Sequence, residues 1–329
     1  MPKDPIGVLG RLNAASLMMI TPEFYKLWSK RAKGAGKINH DFAQFTIKPT
    51  YMQLDDLKIR YATGGNPDGP TVLFLSPLPQ SILCYDATWA ALAASANLVA
   101  LDLPGFGQSE GSIGHMTFAA QSAFLQKFIS KLGLSDVHIV APDVGMPVAL
   151  HYVLHREHKA KSILLGAGPS VQPSADGSLV KKMIGSGFWR LVFTLTGAPA
   201  FISGANQLGY LNYSPSAEEL ADYVASYSGR VGPVTQWFKG YPEGLKDIDP
   251  HLETLNVPVH VFWGDHDAFL MKDNAVRLHE RLPKSALTIF EGSGHFCYQD
   301  KAAEFTELVG TWVENGHKLG ETPVSNQDA

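Results

Sequence analysis

Cysteine is nearly absent. The chain has two in 329 residues, Cys84 and Cys297, too few for a disulfide framework and without the Cys-x-x-Cys spacing of zinc or redox sites. That scarcity points to a reducing, cytoplasmic setting. An excess of positive charge is missing too: 27 Lys and Arg stand against 31 Asp and Glu, a formal charge of -4, so nucleic acid is not an expected partner. No apolar run reaches the roughly 20 residues of a spanning helix. The best candidate, 6–20, is interrupted by Arg11 and Asn13 and reads as an amphipathic helix lying on the domain or covering a cap, without stable membrane insertion. Glycine-rich phosphate loops in a strand-turn-helix setting are also lacking, as is any solenoid-period repeat, so no nucleotide or flavin cofactor is implied.

What is present suits a soluble globular chain. Hydrophobic residues make up 45% and charged ones 18%, enough apolar material for one large core or two modest ones. Residues 44–48 and 57–62 alternate apolar with polar on either side of Asp55-Asp56, which predicts a half-exposed hairpin. From Pro70 onward, short continuous apolar runs take over at 71–76, 97–102, 137–141, 162–166, 257–263 and 286–290. Each has the length of a strand buried on both faces. Helical periods separate most of them, as at 118–132, where Phe118, Phe124, Phe128, Ile129 and Leu132 fall near one face. Strand, helix, strand repetition predicts an α/β fold with a mostly parallel sheet flanked by helices.

The rhythm breaks once, over 169–249, where aromatic-rich helical segments replace strands. That position predicts a helical cap over the carboxyl ends of the strands, where open α/β sheets place their ligands. The organisation expected is therefore an N-terminal helical extension (1–40), a core (41–168 and 250–316), the inserted cap and a polar tail (317–329). The basic Gly/Lys stretch 30–37 reads as a surface linker.

Residues 137–150 run from a strand into small-x-Asp-x-Gly and then a helix. Ala141 and Gly145 stand two positions either side of Asp143, and small side chains there allow a sharp strand-to-helix turn because larger ones would strike neighbouring backbone. The carboxylate at the apex sits by the first turn of the next helix, whose amide dipoles favour its ionised form.

With three further motifs, the chain resembles the α/β-hydrolase fold family, and within it the aspartate-nucleophile branch shared by epoxide hydrolases and haloalkane dehalogenases. The resemblance runs from about residue 45 to 315. Asp102-Leu-Pro-Gly-Phe-Gly-Gln-Ser109 is similar to the loop after the family's fourth strand, Trp263-Gly-Asp-His-Asp267 to the loop ending in the acid, and Gly292-Ser-Gly-His295-Phe to the loop holding the histidine. Nucleophile, acid and histidine follow in the order that fold uses. The resemblance implies an α/β-hydrolase core with an inserted helical cap, a small apolar organic substrate, and neither cofactor nor metal. It implies Asp143 as nucleophile, His295 as the base that activates water, and Asp267 as the group holding the imidazole. Asp265 is the second candidate for the acid, but the Gly-x-x-Asp spacing favours Asp267. Backbone amides of Val144 and Leu78 are the implied oxyanion donors.

An aspartate apex shifts the chemistry expected. A carboxylate needs no base to attack, and displacement at an sp3 carbon leaves an alkyl ester, whereas attack on an ester carbonyl would leave an anhydride. Epoxide opening is the first reading, haloalkane or haloacid dehalogenation the second, and an ester, lactone or carbon–carbon bond hydrolase, with Asp143 as a base, the third. A non-catalytic binding protein on the same scaffold is the rival of another class. Self-association into a homo-oligomer stays open.

Two local departures bear on the substrate. Dehalogenases of the family carry Trp directly after the nucleophile, where this chain has Val144; the oxyanion loop reads Ser76-Pro77-Leu78-Pro79 in place of His-Gly-x-Pro. Epoxide hydrolases protonate the opening ring with cap tyrosines, one in a Trp-Tyr-Arg-like segment that here reads Trp237-Phe238-Lys239. Among Tyr210, Tyr213, Tyr223, Tyr227 and Tyr241, the first two are favoured as donors because Gly209–Pro215 reads as an irregular cap segment. Trp237, Phe238 and Trp89 are further expected pocket residues, with Gln80 and Tyr85 behind them. His151, His155 and His158 share a helix face, but without carboxylates they read as a solvated surface.

Overall fold

The computed structural model describes residues 4–41, 44–314 and 317, so the polar tail expected over 317–329 lies, His317 apart, outside them. Asp55 adopts φ 53, the left-handed conformation that suits a two-residue hairpin turn. It closes β1 (Thr50–Leu54) onto β2 (Leu57–Gly65), with Leu54 opposite Leu57. The first strand is thus not at 44–48. Residues 46 and 47 are claimed instead by Asp86, whose Oδ1 accepts the Thr46 hydroxyl and the Ile47 amide, each at 2.8 Å.

The remaining strands are the continuous apolar runs: β3 (Thr71–Leu75), β4 (Asn97–Leu101), β5 (Val137–Pro142), β6 (Ala160–Gly166), β7 (Val259–Gly264) and β8 (Ser285–Phe290). They form one eight-stranded sheet in the order β1-β2-β4-β3-β5-β6-β7-β8, antiparallel from β1 to β4 and parallel beyond. Side chains of β5 and β7 are buried throughout, as sheet positions covered on both faces must be. The chain opens with α1 (Gly7–Met18) and α2 (Pro22–Trp28). Helices α3 (Asp86–Leu92), α4 (Phe118–Lys131) and α5 (Gly145–His155) follow the strands in turn.

Between β6 and β7 lie α6 (Ser178–Gly185), α7 (Gly187–Gly209), α8 (Ala217–Tyr227) and α9 (Val231–Gly244). After β7 come α10 (Asp273–Arg281), the short α11 (Cys297–Asp300) and α12 (Ala302–Glu314). Helix α7 bends at Gly197, φ 75, beside Pro199, which cannot donate to the helical ladder. α1 packs along its second half: a Cβ on Gly10 would stand 2.8 Å from Pro199 Cβ, and Gly204 lies against Met18.

The basic 30–37 stretch is not a free linker. Its Ala32 and Gly36 amides donate to the carbonyls of Leu211 and Tyr213 at 2.8 and 2.7 Å, and Ala35 is buried, so it is laced to the chain after α7. His151 departs from the solvated reading as well. It is buried against the Ser122 hydroxyl at 2.8 Å, and burial lowers its pKa to about 4.

Candidate active site

β5 delivers Asp143 at φ 51, a backbone conformation uncommon for a residue with a side chain. The turn closes because the next helix starts with glycine: a Cβ on Gly145 would stand 3.0 Å from Leu75 Cβ and 3.5 Å from that of Ala141. β3 neighbours β5, so the loop after β3 reaches the same point, and the Leu78 amide donates to Asp143 Oδ2 at 2.6 Å. Val144, the other expected oxyanion donor, follows Asp143 directly at the start of α5.

Neighbouring strands supply the rest. Asp267 leaves β7 and His295 follows β8, and the two loops touch at Gly264, where a Cβ would fall onto the Gly294 carbonyl. Asp267 Oδ1 accepts the Phe269 and Leu270 amides at 2.8 and 3.0 Å, which leaves Oδ2 for His295 Nδ1 at 2.8 Å. The other imidazole nitrogen, Nε2, is 3.7 Å from Asp143 Oδ1, an ion-pair distance rather than a hydrogen bond. Asp265 is engaged elsewhere, accepting the Ser293 amide at 3.0 Å. The rings of Phe269 and Phe296 stand edge-on to the imidazole at 5.0 Å each and keep it dry.

Burial alone would lower the His295 pKa, but the Asp267 and Asp143 carboxylates outweigh it and push it up to about 10. The folded chain therefore holds this proton more tightly than the unfolded one. The stabilisation is complete below about pH 6.5, the ordinary value, and is lost as pH rises through about 10. Denaturant unfolding across that range should give falling stability for the wild type and a flatter profile for His295→Gln. Equal declines in both proteins would remove this imidazole as the source.

Asp143 and His295 face an apolar cavity, in which the centre of a water-sized sphere can move through about 50 Å³, and Asp267 stands behind the imidazole. Leu78, Asp143 and His295 line it on the core side, and Trp237 and Phe238 of α9 on the cap side. Tyr210, Tyr213 and Trp89 do not belong to it. The Tyr210 hydroxyl is buried between Gln80 and Gln299, at 2.5 Å from each, and that of Tyr213 donates to Glu219 at 2.8 Å. Trp89 packs on β2, its ring 3.1 Å from where a Cβ of Gly64 would be. Tyr85 donates to the Leu75 carbonyl at 2.6 Å. The three tyrosines are drawn into the walls because a buried phenol needs a hydrogen-bond partner, and the network supplies one.

Some site residues were not legible in the sequence. Leu17 and Met18 of α1 line the cavity; so does Tyr241 of α9, which the sequence offered among five cap tyrosines without favouring it. Asp300 accepts the amides of Gly294 and Leu211 at 2.8 Å and of Asn212 and Tyr213 at 2.9 Å, fastening the histidine loop to the chain after α7. The sequence carried a signal only for α1, where Gly10, Ala14, Leu17 and Met18 recur at helical spacing and are all buried.

A family profile described as the alpha/beta hydrolase fold matches residues 70–302. Among solved structures, haloalkane dehalogenase DbeA from Bradyrhizobium elkani is similar in shape, with a TM-score of 0.70 and 22% identity over 82% of this chain and 98% of that one. An esterase from Exiguobacterium antarcticum aligns with a TM-score of 0.69 and 20% identity over 81% of this chain and 100% of the esterase. At those identities both speak for the fold alone. A curated relative, the 2-hydroxy-6-oxononadienedioate/2-hydroxy-6-oxononatrienedioate hydrolase 2 of Pseudomonas putida, is 25% identical over 68% of this chain and 79% of its own. With the profile spanning well over half its length and an eight-stranded, mostly parallel sheet beneath, the chain belongs to the alpha/beta hydrolase fold family.

Proposed function

We propose that this hydrolase forms an alkyl ester on Asp143 and then hydrolyses it, and that its first substrate class is an apolar epoxide. The observation that carries the reading is the apex itself: an aspartate at φ 51, facing an apolar cavity, with the imidazole 3.7 Å from one carboxylate oxygen. Asp143 attacks a ring carbon, the carbon–oxygen bond breaks, and the ring oxygen takes a proton. Water then adds to the ester carbonyl carbon while His295 takes its proton, and the Leu78 and Val144 amides receive the charge on oxygen. The ester breaks to regenerate the carboxylate and release a vicinal diol, so epoxide and water are consumed one for one.

The charge state of His295 suits this sequence. While Asp143 is ionised, two carboxylates hold the proton on the imidazole, and esterification removes one of those charges. The imidazole then gives up its proton more readily, at the stage when a base is required.

Tyr241 is the phenol favoured as proton donor to the ring oxygen. It lines the cavity, and its buried hydroxyl makes no hydrogen bond of ordinary length among the described residues, with Ser174 and Asp176 the nearest polar groups. Burial and the nearby Asp176 carboxylate push its pKa up, so the phenol stays protonated. Halide displacement is the second reading because the Trp237 indole lines the same cavity one helical turn away, its ring centre 5.5 Å from that of Tyr241. An indole N–H is the kind of donor a departing halide needs.

Paired substitutions separate the two. Tyr241→Phe should slow epoxide hydrolysis about 100-fold or more and leave haloalkane turnover near wild type. Trp237→Phe should do the reverse if halide is the leaving group. Wild-type protein that turns over neither class, or a Tyr241→Phe variant with unchanged epoxide hydrolysis, would count against the assignment.

A further inference from the structure

α1 is apolar on both of its faces. Gly10, Ala14, Leu17 and Met18 turn inward and are buried, while Val8, Leu12 and Met19 point outward with 74%, 61% and 70% of their surface exposed. A helix lying on a protein surface is ordinarily polar on its outer side, so a second apolar stripe needs a partner. The next helix adds Trp28, 68% exposed, and α7, on which α1 is packed, adds Leu191 and Leu195. Single exposed apolar residues are common, but a run of them on helices packed together is not.

The charge around these helices names the occupant. Residues 1–40 carry seven Lys and Arg against two Asp and Glu, whereas the other residues carry 20 against 29. Lys26, Lys33 and Lys37 are exposed and make no ion pair among the described residues. The chain is thus acidic overall but basic beside its apolar face. Pairing with a second copy through this face would bring like charges together, while an anionic lipid surface satisfies both features at once. No described helix is long and apolar enough to cross a membrane, so the contact is one of lying on the interface.

We infer that the outer face of α1 and α2 docks this enzyme on an anionic lipid bilayer, with the apolar side chains in the interface and the flanking lysines on the headgroups. Trp28 is the residue type best suited to that depth, because its ring is apolar and its N–H polar. The inner face of the same helix supplies Leu17 and Met18 to the cavity. A docked α1 therefore lies between the bilayer and the cavity, and apolar molecules dissolved in the membrane are brought to the cavity wall. The docking stands whichever bond the enzyme breaks.

Vesicle flotation of the full chain tests the inference, with phosphatidylcholine vesicles alone and with phosphatidylglycerol mixed in. The wild type should float with the mixed vesicles and not with phosphatidylcholine alone, and added salt should release it. Combining Lys26→Glu, Lys33→Glu and Lys37→Glu should lower partitioning at least about 100-fold. Val8→Asp with Leu12→Asp, both exposed and outside the catalytic machinery, should also abolish flotation while thermal unfolding stays cooperative. A wild type that does not float with the mixed vesicles, or variants that float as well as it does, would overturn the inference. So would size-exclusion chromatography giving a dimer that Val8→Asp with Leu12→Asp converts to a monomer, since a second copy would then be the occupant.

Discussion

In the His295→Gln protein, exposure to an epoxide is expected to leave a covalent adduct on Asp143, heavier than the protein by the mass of the whole epoxide. In the proposed mechanism the first step needs only the carboxylate, which the Leu78 amide holds at 2.6 Å, and that step survives the substitution. The second step loses its base, because glutamine cannot take a proton from water. Turnover should fall about 100- to 10,000-fold, the range general base catalysis usually supplies. Intact-protein mass spectrometry reads the adduct, and peptide mapping places it. A haloalkane that leaves its mass less HX would move the assignment to halide displacement. Full turnover by this variant would refute the role given to His295. Absence of any adduct in a folded variant, across epoxides and haloalkanes, would favour a reaction in which Asp143 acts as a base.

Asp143→Ala is expected to remove turnover altogether, a loss on the order of a million-fold, since in the proposed mechanism it deletes the atom that forms the bond. The effect should be confined to chemistry. Alanine keeps the Cβ already present at this position, and the side-chain hydrogen bond lost is one amide, Leu78, beside the cavity. Removing the Asp143 charge also takes away one of the two carboxylates that raise the His295 pKa, so His295 should titrate below its wild-type value of about 10. Steady-state assays and histidine NMR titration check both statements. Activity within tenfold of wild type, or an unmoved histidine, would remove Asp143 from its assigned place. Asp143→Asn is a weaker probe because an amide in such a site can deamidate back.

The two variants test parts of the site that differed in how readily they could be read. Asp143 stands on a turn whose local pattern, small residues two positions either side of an acidic apex, announces it, whereas Asp267 and His295 were read from the likeness of their loops to those of the α/β-hydrolase family. That turn is short and governed by sterics over a few residues, so the sequence alone places it at a strand end. The apolar strand runs were equally legible, because a strand covered on both faces must be apolar throughout.

The cap tyrosines were not legible in that way. Tyr210, Tyr213 and Tyr241 are the same residue type in the same insertion, yet only Tyr241 lines the cavity. What separates them is which buried polar partners lie within reach. Gln80 and Gln299, distant in sequence, close around the Tyr210 hydroxyl, and Glu219 takes that of Tyr213. The hairpin strand expected at 44–48 failed for a related reason, since Asp86 removes those backbone and hydroxyl groups from any ladder.

By itself, then, the sequence determined the parallel sheet, the helical insertion and the turn at Asp143, because each follows from periodicity or from steric demands among near neighbours, while the Asp267 and His295 loops were placed by their likeness to a known family. Only the tertiary structure decided which cap tyrosine faces the cavity, that α1 supplies Leu17 and Met18 to its wall, and that the outer side of α1 is left apolar. Those outcomes depend on contacts between segments far apart in the chain, where burial and hydrogen-bond satisfaction are settled by packing and leave no local pattern.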